Sequence, residues 1–365
     1  MTIIIFLVVL AVLIFVHELG HFLIAKKSGI RVDEFAVGFP PKIFSWTKGE
    51  TKYVLNLIPF GGYVKIFGEN PDDESMTGAD SARSFVNANK WKQAGVLLSG
   101  IFFNVLFAWI LISISFMFGS MVPVGDGANN GYAKYAKNSQ VILTSIIPGS
   151  PAEKAGLLQG DRLLTVANVT GNNLTTSKVR ELIETSTTSQ ILITYERAGQ
   201  IKNATATPEL NQAEKRKVVG IYMENVGMVK LNPALALWEG GKLTVTTFKE
   251  VVVGLATFIW QAVKGHGDFT QVSGPVGIVG MVGDAAHFGF AYFLSFVAFI
   301  SLNLAVINLI PFPALDGGRV LFVIIEAVIR RPIKPKIANT VNAVGFFILI
   351  ALMLVITYRD IMKFF

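Results

Sequence analysis

The stretch His17-Glu18-Leu19-Gly20-His21 lies inside the first hydrophobic segment of the chain and decides how the rest is interpreted. Residues 1–16 carry no charged side chain, and the apolar run continues to residue 25. Such a run is long enough to cross a bilayer as a helix. On that helix His17 and His21 lie one turn apart on the same face, with Glu18 beside them. This is the H-E-x-x-H arrangement, in which two imidazoles bind zinc and the carboxylate acts on zinc-bound water.

The intramembrane position of the motif argues against a chance match. An ionisable side chain in a transmembrane helix costs roughly 2.5–3.5 kcal/mol, so such residues are rare and usually functional. The whole chain has four histidines, and two of them fall within this one turn. We therefore interpret the motif as a metal site.

The composition favours a multi-pass membrane protein over a set of soluble domains, because 52% of the 365 residues are hydrophobic and only 16% are charged. The chain has no cysteine, so a bound zinc must be held by His, Asp or Glu. The net charge of +7 comes without a nucleic-acid recognition motif. We expect no nucleic-acid partner, and we attribute the basic residues beside the spans to topology and to anionic membrane lipid.

The hydrophobic runs predict about four transmembrane helices. The first run lacks the basic start and the cleavage site of a signal peptide, so we expect it to be retained. The loop at 26–92 carries ten Lys and Arg, and the loop at 330–336 carries four more. The positive-inside rule makes both loops cytoplasmic and places both termini outside. The predicted spans cover about residues 2–25, 93–118, 291–310 and 341–356.

Residues 53–66 resemble two short β runs around a turn that contains Pro59, Gly61 and Gly62. The segment is too apolar for an ordinary cytoplasmic hairpin. One interpretation is a membrane-associated β-hairpin that dips into a protein-lined cavity and holds an extended substrate along its unpaired edge. The other is an edge hairpin with a structural role only.

Residues 120–229 have the mixed charge and alternating strands of an inserted α/β domain. The sequence at 150–157 (SPAEKAGL), followed by Gly160-Asp161, resembles the bacterial PDZ signature. PDZ domains bind extended C-termini by strand addition and carboxylate capture, and Gly220-Ile221 is a candidate for that edge. Because an inside-to-outside span precedes it, we expect the domain to be extracytoplasmic. The predicted elements are strands at 141–147, 162–166 and 190–195 and a helix at 177–184.

A long, partly apolar helix is predicted at 233–263, and its pattern suits a helix that lies on the membrane surface. A full crossing is the alternative, and it would reverse the topology of everything that follows. The predicted organisation is a first membrane half at 1–119, the PDZ domain at 120–229, a surface helix and linker at 230–287, and a second membrane half at 288–365.

The third span ends in the broken turn Pro311-Phe312-Pro313-Ala314-Leu315-Asp316-Gly317-Gly318. The prolines remove helical donors, and the glycines allow close backbone approach. An apolar run follows, so Asp316 is a carboxylate in hydrophobic surroundings, where it needs a partner. Arg319 is one candidate. A metal is the better one, because two histidines lack the third protein ligand of a catalytic zinc.

Together these residues resemble the site-2 protease family of intramembrane zinc metalloproteases, in particular the bacterial regulator-of-sigma-E protease type with a single PDZ domain. The resemblance covers nearly the whole chain. It rests on the H-E-x-G-H of the first span, the hairpin that ends in GGYV at 61–64, the PDZ domain, GPVGI at 274–278, and N-x-x-P-x-P-x-L-D-G at 308–317.

The resemblance implies an enzyme of the bacterial inner membrane that cleaves transmembrane segments of single-pass membrane proteins in regulated intramembrane proteolysis. In this family the substrates have already been trimmed by another protease, and they include anti-sigma factors and signal-peptide remnants. The implied cofactor is Zn²⁺. The implied residues are His17, His21 and Asp316 as zinc ligands, Glu18 as the catalytic glutamate, and Asn308, Pro311, Pro313, Gly61 and Gly62 in substrate binding.

Two other classes of function remain open from the residues alone. A membrane receptor would use the metal structurally, but a structural zinc usually has four protein ligands, and the sequence offers three. A metal-ion transporter would need polar residues on several spans, and the second and fourth spans offer little beyond Asn104 and Asn342. Asn104 is interpreted here as a residue for helix packing.

Overall fold

The computed structural model describes residues 1–70, 72–124, 132–186, 189–197, 199–212, 215–266, 273–331 and 333–362. Parts of the predicted PDZ domain and residues 267–272 of the predicted linker lie outside these ranges. The chain divides into two compact units, one of residues 1–115 and 240–365 and one of residues 116–239. A unit rich in β-strands is thus inserted between two stretches of apolar helix.

The elements are numbered in chain order. The helices are α1 (Thr2–Lys27), α2 (Asp73–Thr77), α3 (Lys90–Phe118), α4 (Pro151–Lys154), α5 (Thr176–Glu184), α6 (Pro233–Val263), α7 (Pro275–His287), α8 (Phe290–Leu309), α9 (Asp316–Ile329) and α10 (Pro335–Met362). The strands are β1 (Val32–Lys48), β2 (Thr51–Ile66), β3 (Ser120–Pro123), β4 (Lys137–Ile146), β5 (Arg162–Val166), β6 (Val169–Thr170), β7 (Ile191–Arg197), β8 (Gln200–Ala206), β9 (Glu209–Asn211), β10 (Arg216–Val218) and β11 (Ile221–Val229).

Five helices in the described chain are long and apolar enough to cross a membrane, namely α1, α3, α6, α8 and α10. Four of them match the predicted spans, and a multi-pass membrane protein with an inserted β domain is confirmed. The fifth, α6, has the predicted extent, so the predicted number of four spans is not confirmed by length and composition alone.

The sheet formed by β1 and β2 follows α1 directly. Both strands bend, so the sheet has four segments, in the order 62–66, 32–37, 51–56 and 42–48. The register is antiparallel in the two outer pairs and parallel between 34–37 and 52–55. Two extended runs within 53–66 are present as predicted. The predicted hairpin between those runs is wrong, because residues 32–37 lie between them and pair with both. The tight hairpin is instead formed by 42–48 and 51–56 around Gly49, whose positive φ of +65° suits a two-residue turn.

The inserted unit is built on a seven-stranded sheet in the order β3-β11-β4-β5-β7-β8, with β6 paired to β5. The predicted strands and helix are all present, with ends shifted by a few residues. Ser150 caps α4 by accepting a hydrogen bond from the Glu153 N–H, and Leu157 is fully buried in the core. Asp161 is buried, accepts both guanidinium contacts of Arg197 at 2.7 Å, and so raises the pKa of Arg197. The SPAEKAGL and Gly-Asp residues therefore stabilise the fold of this unit.

Candidate metal centre and active site

Both histidines lie on the buried stripe of α1. The buried residues of this helix recur every three or four positions and include His17 and His21. Gly20 lies on the same stripe, where a Cβ atom would be 2.6 Å from the Ser99 carbonyl oxygen of α3. The absence of a side chain at Gly20 therefore brings the backbone of α3 against the turn that carries the imidazoles.

Asp316 reaches the same place from a distant part of the chain. It is the first residue of α9, and it follows a tight turn in which the Phe312 N–H donates to the Ile310 carbonyl at 2.7 Å and the Leu315 N–H to the Phe312 carbonyl at 3.1 Å. Gly317 and Gly318 lie so close to the carbonyls of this turn that a Cβ atom would not fit at either position. The turn thus needs both glycines in order to aim the carboxylate inward.

The imidazoles and the carboxylate form a compact set of three donor atoms. Asp316 Oδ2 lies 3.0 Å from His17 Nε2 and 3.3 Å from His21 Nε2, and the two Nε2 atoms are 3.2 Å apart. Tetrahedral zinc ligands at about 2.0–2.1 Å from the ion stand about 3.3 Å from one another. The spacing and the chemistry of these donors therefore fit a zinc ion.

Two further observations support this fit. Asp316 Oδ2 is a buried atom, and its neighbours at 3.0 and 3.3 Å are the Nε2 atoms of His17 and His21, which are themselves metal-binding atoms. Gly100 of α3 faces the two imidazoles, and a Cβ there would lie 2.6 Å from His21 Nε2 and 2.8 Å from His17 Nε2. The bare backbone at Gly100 leaves space beside the imidazole nitrogens.

Glu18 is half-buried next to this set and interacts electrostatically with His17, His21 and Asp316. Its carboxylate accepts a hydrogen bond from the backbone N–H of Val64, in the segment 62–66. The edge of the sheet therefore lies directly beside the carboxylate of the H-E-x-x-H motif.

Each imidazole uses its other nitrogen to contact α3. His21 Nδ1 lies 2.8 Å from the Val96 carbonyl oxygen, and His17 Nδ1 lies 3.1 Å from the side-chain amide of Asn104. Asn104 is fully buried. Its interpretation as a packing residue alone is incomplete, because it also contacts a candidate metal ligand.

Arg319 pairs with Glu69 and not with Asp316. The structural alternative for Asp316, an ion pair one turn away on its own helix, is therefore not found. Glu69 comes from the loop that follows β2, so this ion pair links the loop to α9.

The remaining predicted site residues border the centre in different ways. Gly61 is buried, and a Cβ there would contact the Ile14 side chain of α1 at 3.3 Å, while Gly62 lies in the edge segment of the sheet. Pro313 lies against Gly345 of α10, whereas Pro311 is exposed in the turn. Asn308 is half-buried near the end of α8.

Sequence reasoning missed Gly100 and the role of Asn104. One signal for either was a small or polar residue inside a span, which is also the ordinary signature of helix packing. The other was the family resemblance, which this chain keeps at Gly100 and Asn104 but not at Ile101. Which of these residues faces the histidines depends on how α1 and α3 are rotated about their axes, and a single sequence does not contain that information.

The chain is similar to known proteins along almost its whole length. The sequence model of Peptidase family M50 matches residues 5–352. A protein of Clostridium perfringens named "Putative zinc metalloprotease" is 35% identical over 366 residues, which cover 99% of this chain and 98% of that protein. The zinc metalloprotease RasP of Geobacillus kaustophilus is 30% identical, with 100% of this chain and 98% of that protein covered.

Proposed function

The chain belongs to Peptidase family M50 and is a multi-pass membrane zinc metalloprotease, and from that premise we propose that it cleaves peptide bonds within the transmembrane segments of single-pass membrane proteins. The observation that carries the proposal is the convergence of His17, His21 and Asp316 beside Glu18 on apolar helices. Trimmed anti-sigma factors and signal-peptide remnants are the substrates that we propose.

We assign His17, His21 and Asp316 as the zinc ligands. A zinc ion held by these residues would lower the pKa of a bound water towards about 7 and would polarise the scissile carbonyl. Glu18 acts as the general base that takes the proton from water and then returns it to the leaving amine. We propose that the interaction of the Val64 N–H with the Glu18 carboxylate helps to orient this side chain.

The segment 62–66 is the proposed binding edge for substrate. Because the Val64 N–H donates to Glu18, the backbone of this residue points away from residues 32–37. A transmembrane helix is a poor substrate, since its carbonyls are already hydrogen-bonded. Strand addition beside Val64 would hold an unwound segment next to Glu18. Gly61 lies against Ile14 of α1, and a Cβ at Gly62 would lie 2.6 Å from the Ala36 carbonyl oxygen, so both glycines let this segment pack closely. We propose that Asn308, Pro311 and Pro313 also take part in substrate binding.

We propose that the outer side of the membrane holds both termini and that α6 lies on its surface. The metal centre is near the C-terminal end of α1, so the start of α1 is at the other face. The short helix α7 contacts that outer end, since Gly283 packs against Thr2 and the Gly277 N–H donates to Asp360 near the end of α10 at 2.9 Å.

The first turns of α6 lie at the same face. Gly240 packs against Ser113, and Gly241 packs against Trp109, near the C-terminal end of α3. A single crossing by α6 would bring the chain to the inner face, whereas α7 begins on the outer face. These contacts favour four crossings and a surface position for α6, in the cytoplasmic membrane of a bacterium.

The inserted unit is proposed to be an extracytoplasmic PDZ domain. Residues 221–224 of β11 pair with β4 on one side, and in the described part of the chain no strand pairs with their other edge. That open edge faces α5 across a cavity of about 180 Å³, which Arg180, Ile183 and Gly220 help to line. We propose that an extended peptide adds to this strand edge inside the cavity.

The proposal is tested with Glu18→Gln in the full-length membrane protein. Removing a general base lowers a rate by about 10²- to 10⁴-fold, so trimmed membrane fragments should accumulate while bound zinc stays at one ion per chain. The fragments are identified by comparing the membrane proteomes of cells that express either protein. Glu181→Gln on the exposed face of α5 is the matched control and should leave the fragments unchanged.

Disappearance of the same fragments in cells with Glu18→Gln would refute the role of Glu18. A receptor with a structural metal would give a third result. The original protein would bind zinc and membrane partners, but the membrane fragments would be the same in cells with the original protein and in cells with Glu18→Gln.

A further inference from the structure

Asn104 has a fully buried side-chain amide, and only its nitrogen has a polar partner among the described residues. Its Nδ2 lies 3.1 Å from His17 Nδ1, and its Oδ1 has no hydrogen-bond donor in the part of the chain that the structure describes. The amide is anchored through its backbone, since the Ser301 hydroxyl of α8 donates to the Asn104 carbonyl at 2.8 Å. The backbone that carries the side chain is therefore anchored to α8.

The Nδ1 atoms of the two imidazoles both face α3, but they have different hydrogen-bond partners there. When Nε2 of a neutral imidazole holds the lone pair, Nδ1 carries the proton and needs an acceptor. For His21 the Val96 carbonyl is that acceptor at 2.8 Å. For His17 the neighbour of Nδ1 is the Asn104 amide nitrogen. A metal on Nε2 of His17 thus requires an oxygen where the amide nitrogen now lies.

We propose that Asn104 is a positioning residue for the metal centre, which turns its amide to accept the His17 Nδ1 proton when a cation binds Nε2. This inference rests on the proposed function, because it takes His17 as a zinc ligand. An amide can serve both states of the ring, since its nitrogen donates to an unprotonated Nδ1 and its oxygen accepts from a protonated one. The unpartnered Oδ1 is the atom that the second state uses.

Acceptors on the outer nitrogen of a ligating histidine fix its tautomer, and their loss typically lowers metal affinity about 10- to 100-fold. Asn104→Leu keeps the volume and removes the acceptor, so zinc affinity should fall by about that factor. Asn104→Asp keeps an acceptor of the same shape and removes the donor, so zinc affinity should stay within about threefold of the original.

The experiment measures zinc competition against a chromogenic chelator with the full chain in detergent, and cobalt absorption reports the ligand geometry. Thermal melting shows which variants fold. Asn303→Leu on α8 is the matched control, because among the described residues its amide bonds only the Phe299 carbonyl of its own helix, and it should bind zinc as the original does.

The zinc affinities of the Asn104 variants decide between a positioning role and a purely structural role for this residue. Equal zinc affinity in folded Asn104→Leu, or an equal loss in Asn104→Asp and Asn104→Leu, would overturn the inference. If Asn104→Leu fails to fold, Asn104→Asp alone decides, since a tenfold loss there would exclude an acceptor role. His17→Ala separates this inference from the proposed function. Unchanged zinc binding in His17→Ala would reject His17 as a ligand. If His17→Ala lost zinc binding while Asn104→Leu bound zinc normally, only the role of Asn104 would be rejected.

Discussion

The candidate metal centre has two sides that are built in different ways. On one side, His17 and His21 project from a continuous helix that lies tightly against α3 at Gly20 and Gly100. On the other side, Asp316 begins a helix after a broken turn, and that turn is supported by α10 through Asn342 and Gly345. The imidazole side is thus fixed by two packed helices, while the carboxylate side depends on a helix that is mostly exposed along its length.

This difference has a consequence for the assembly of the site. The distance between two close-packed helices changes little without breaking many contacts. The turn before Asp316 contacts α10 through one hydrogen bond and one backbone contact, so its position against α10 can shift more easily. We therefore expect changes on the imidazole side to abolish metal binding and changes on the carboxylate side to weaken it.

Gly100→Ala should have the largest effect. Its Cβ would lie 2.6 Å from His21 Nε2 and 2.8 Å from His17 Nε2, so the rings or the helices must move apart. Overpacking of this kind costs about 1–3 kcal/mol, and at the metal ligands themselves we expect a loss of zinc affinity on the order of 100-fold. Chelator competition measures the loss.

Gly95→Ala is the control for that prediction. Gly95 lies on the same helix, and a Cβ atom there would have no described neighbour within 4 Å. Alanine at this position should leave zinc affinity unchanged and favour the helix. If Gly100→Ala bound zinc normally, α1 and α3 would not be packed as closely as the comparison requires.

Gly345→Ala should have an intermediate effect on the carboxylate side. Its Cβ would lie 2.6 Å from the Pro313 carbonyl oxygen, so α10 or the turn must shift. Because α10 is exposed along most of its length, it can move away, and we expect a loss of zinc affinity of about tenfold, equivalent to about 1.4 kcal/mol. Gly280→Ala in α7 has open space and serves as the control. A loss as large as that of Gly100→Ala would contradict the difference between the two sides.

The parts of the site that the sequence predicts are those with a local physical cost. Histidines in an apolar helix and a carboxylate in an apolar turn each require a partner. This need, together with the missing third protein ligand of a catalytic zinc, predicts that His17 and Asp316 meet, with Arg319 as the alternative partner of Asp316. The structure brings these side chains within hydrogen-bonding distance of one another. Gly100 and Asn104 have no such cost, so their part in the site appears only once the helices are packed.

A repeated pentapeptide shows that local sequence alone does not determine secondary structure in this protein. Asn-Leu-Ile-Pro-Phe occurs at 56–60 and at 308–312, and similar loop chemistry would be the simple expectation. The first copy lies in strand β2, and the second ends helix α8. The two copies share an extended isoleucine before the proline, as the proline ring requires, and Ile310 has φ −60° and ψ 134°. Tertiary partners decide the rest, as they also decide that residues 32–37 separate the two runs of β2.

Asn342→Ala should have the smallest effect, and it tests the support of the carboxylate side most directly. Asn342 Oδ1 accepts the Ala314 N–H at 3.2 Å, and Ala314 has a positive φ of 73°, which a residue with a Cβ atom rarely adopts. A hydrogen bond contributes about 1 kcal/mol net, so its loss should lower zinc affinity about fivefold by releasing the turn that positions Asp316.

Asn342→Asp keeps the acceptor and should restore most of that affinity. Thr340→Ala is the control, because the Thr340 hydroxyl donates to the Lys336 carbonyl of its own helix at 2.8 Å. If Asn342→Ala bound zinc as tightly as the original, the turn would hold Asp316 without help from α10, and the two sides of the centre would be equally rigid.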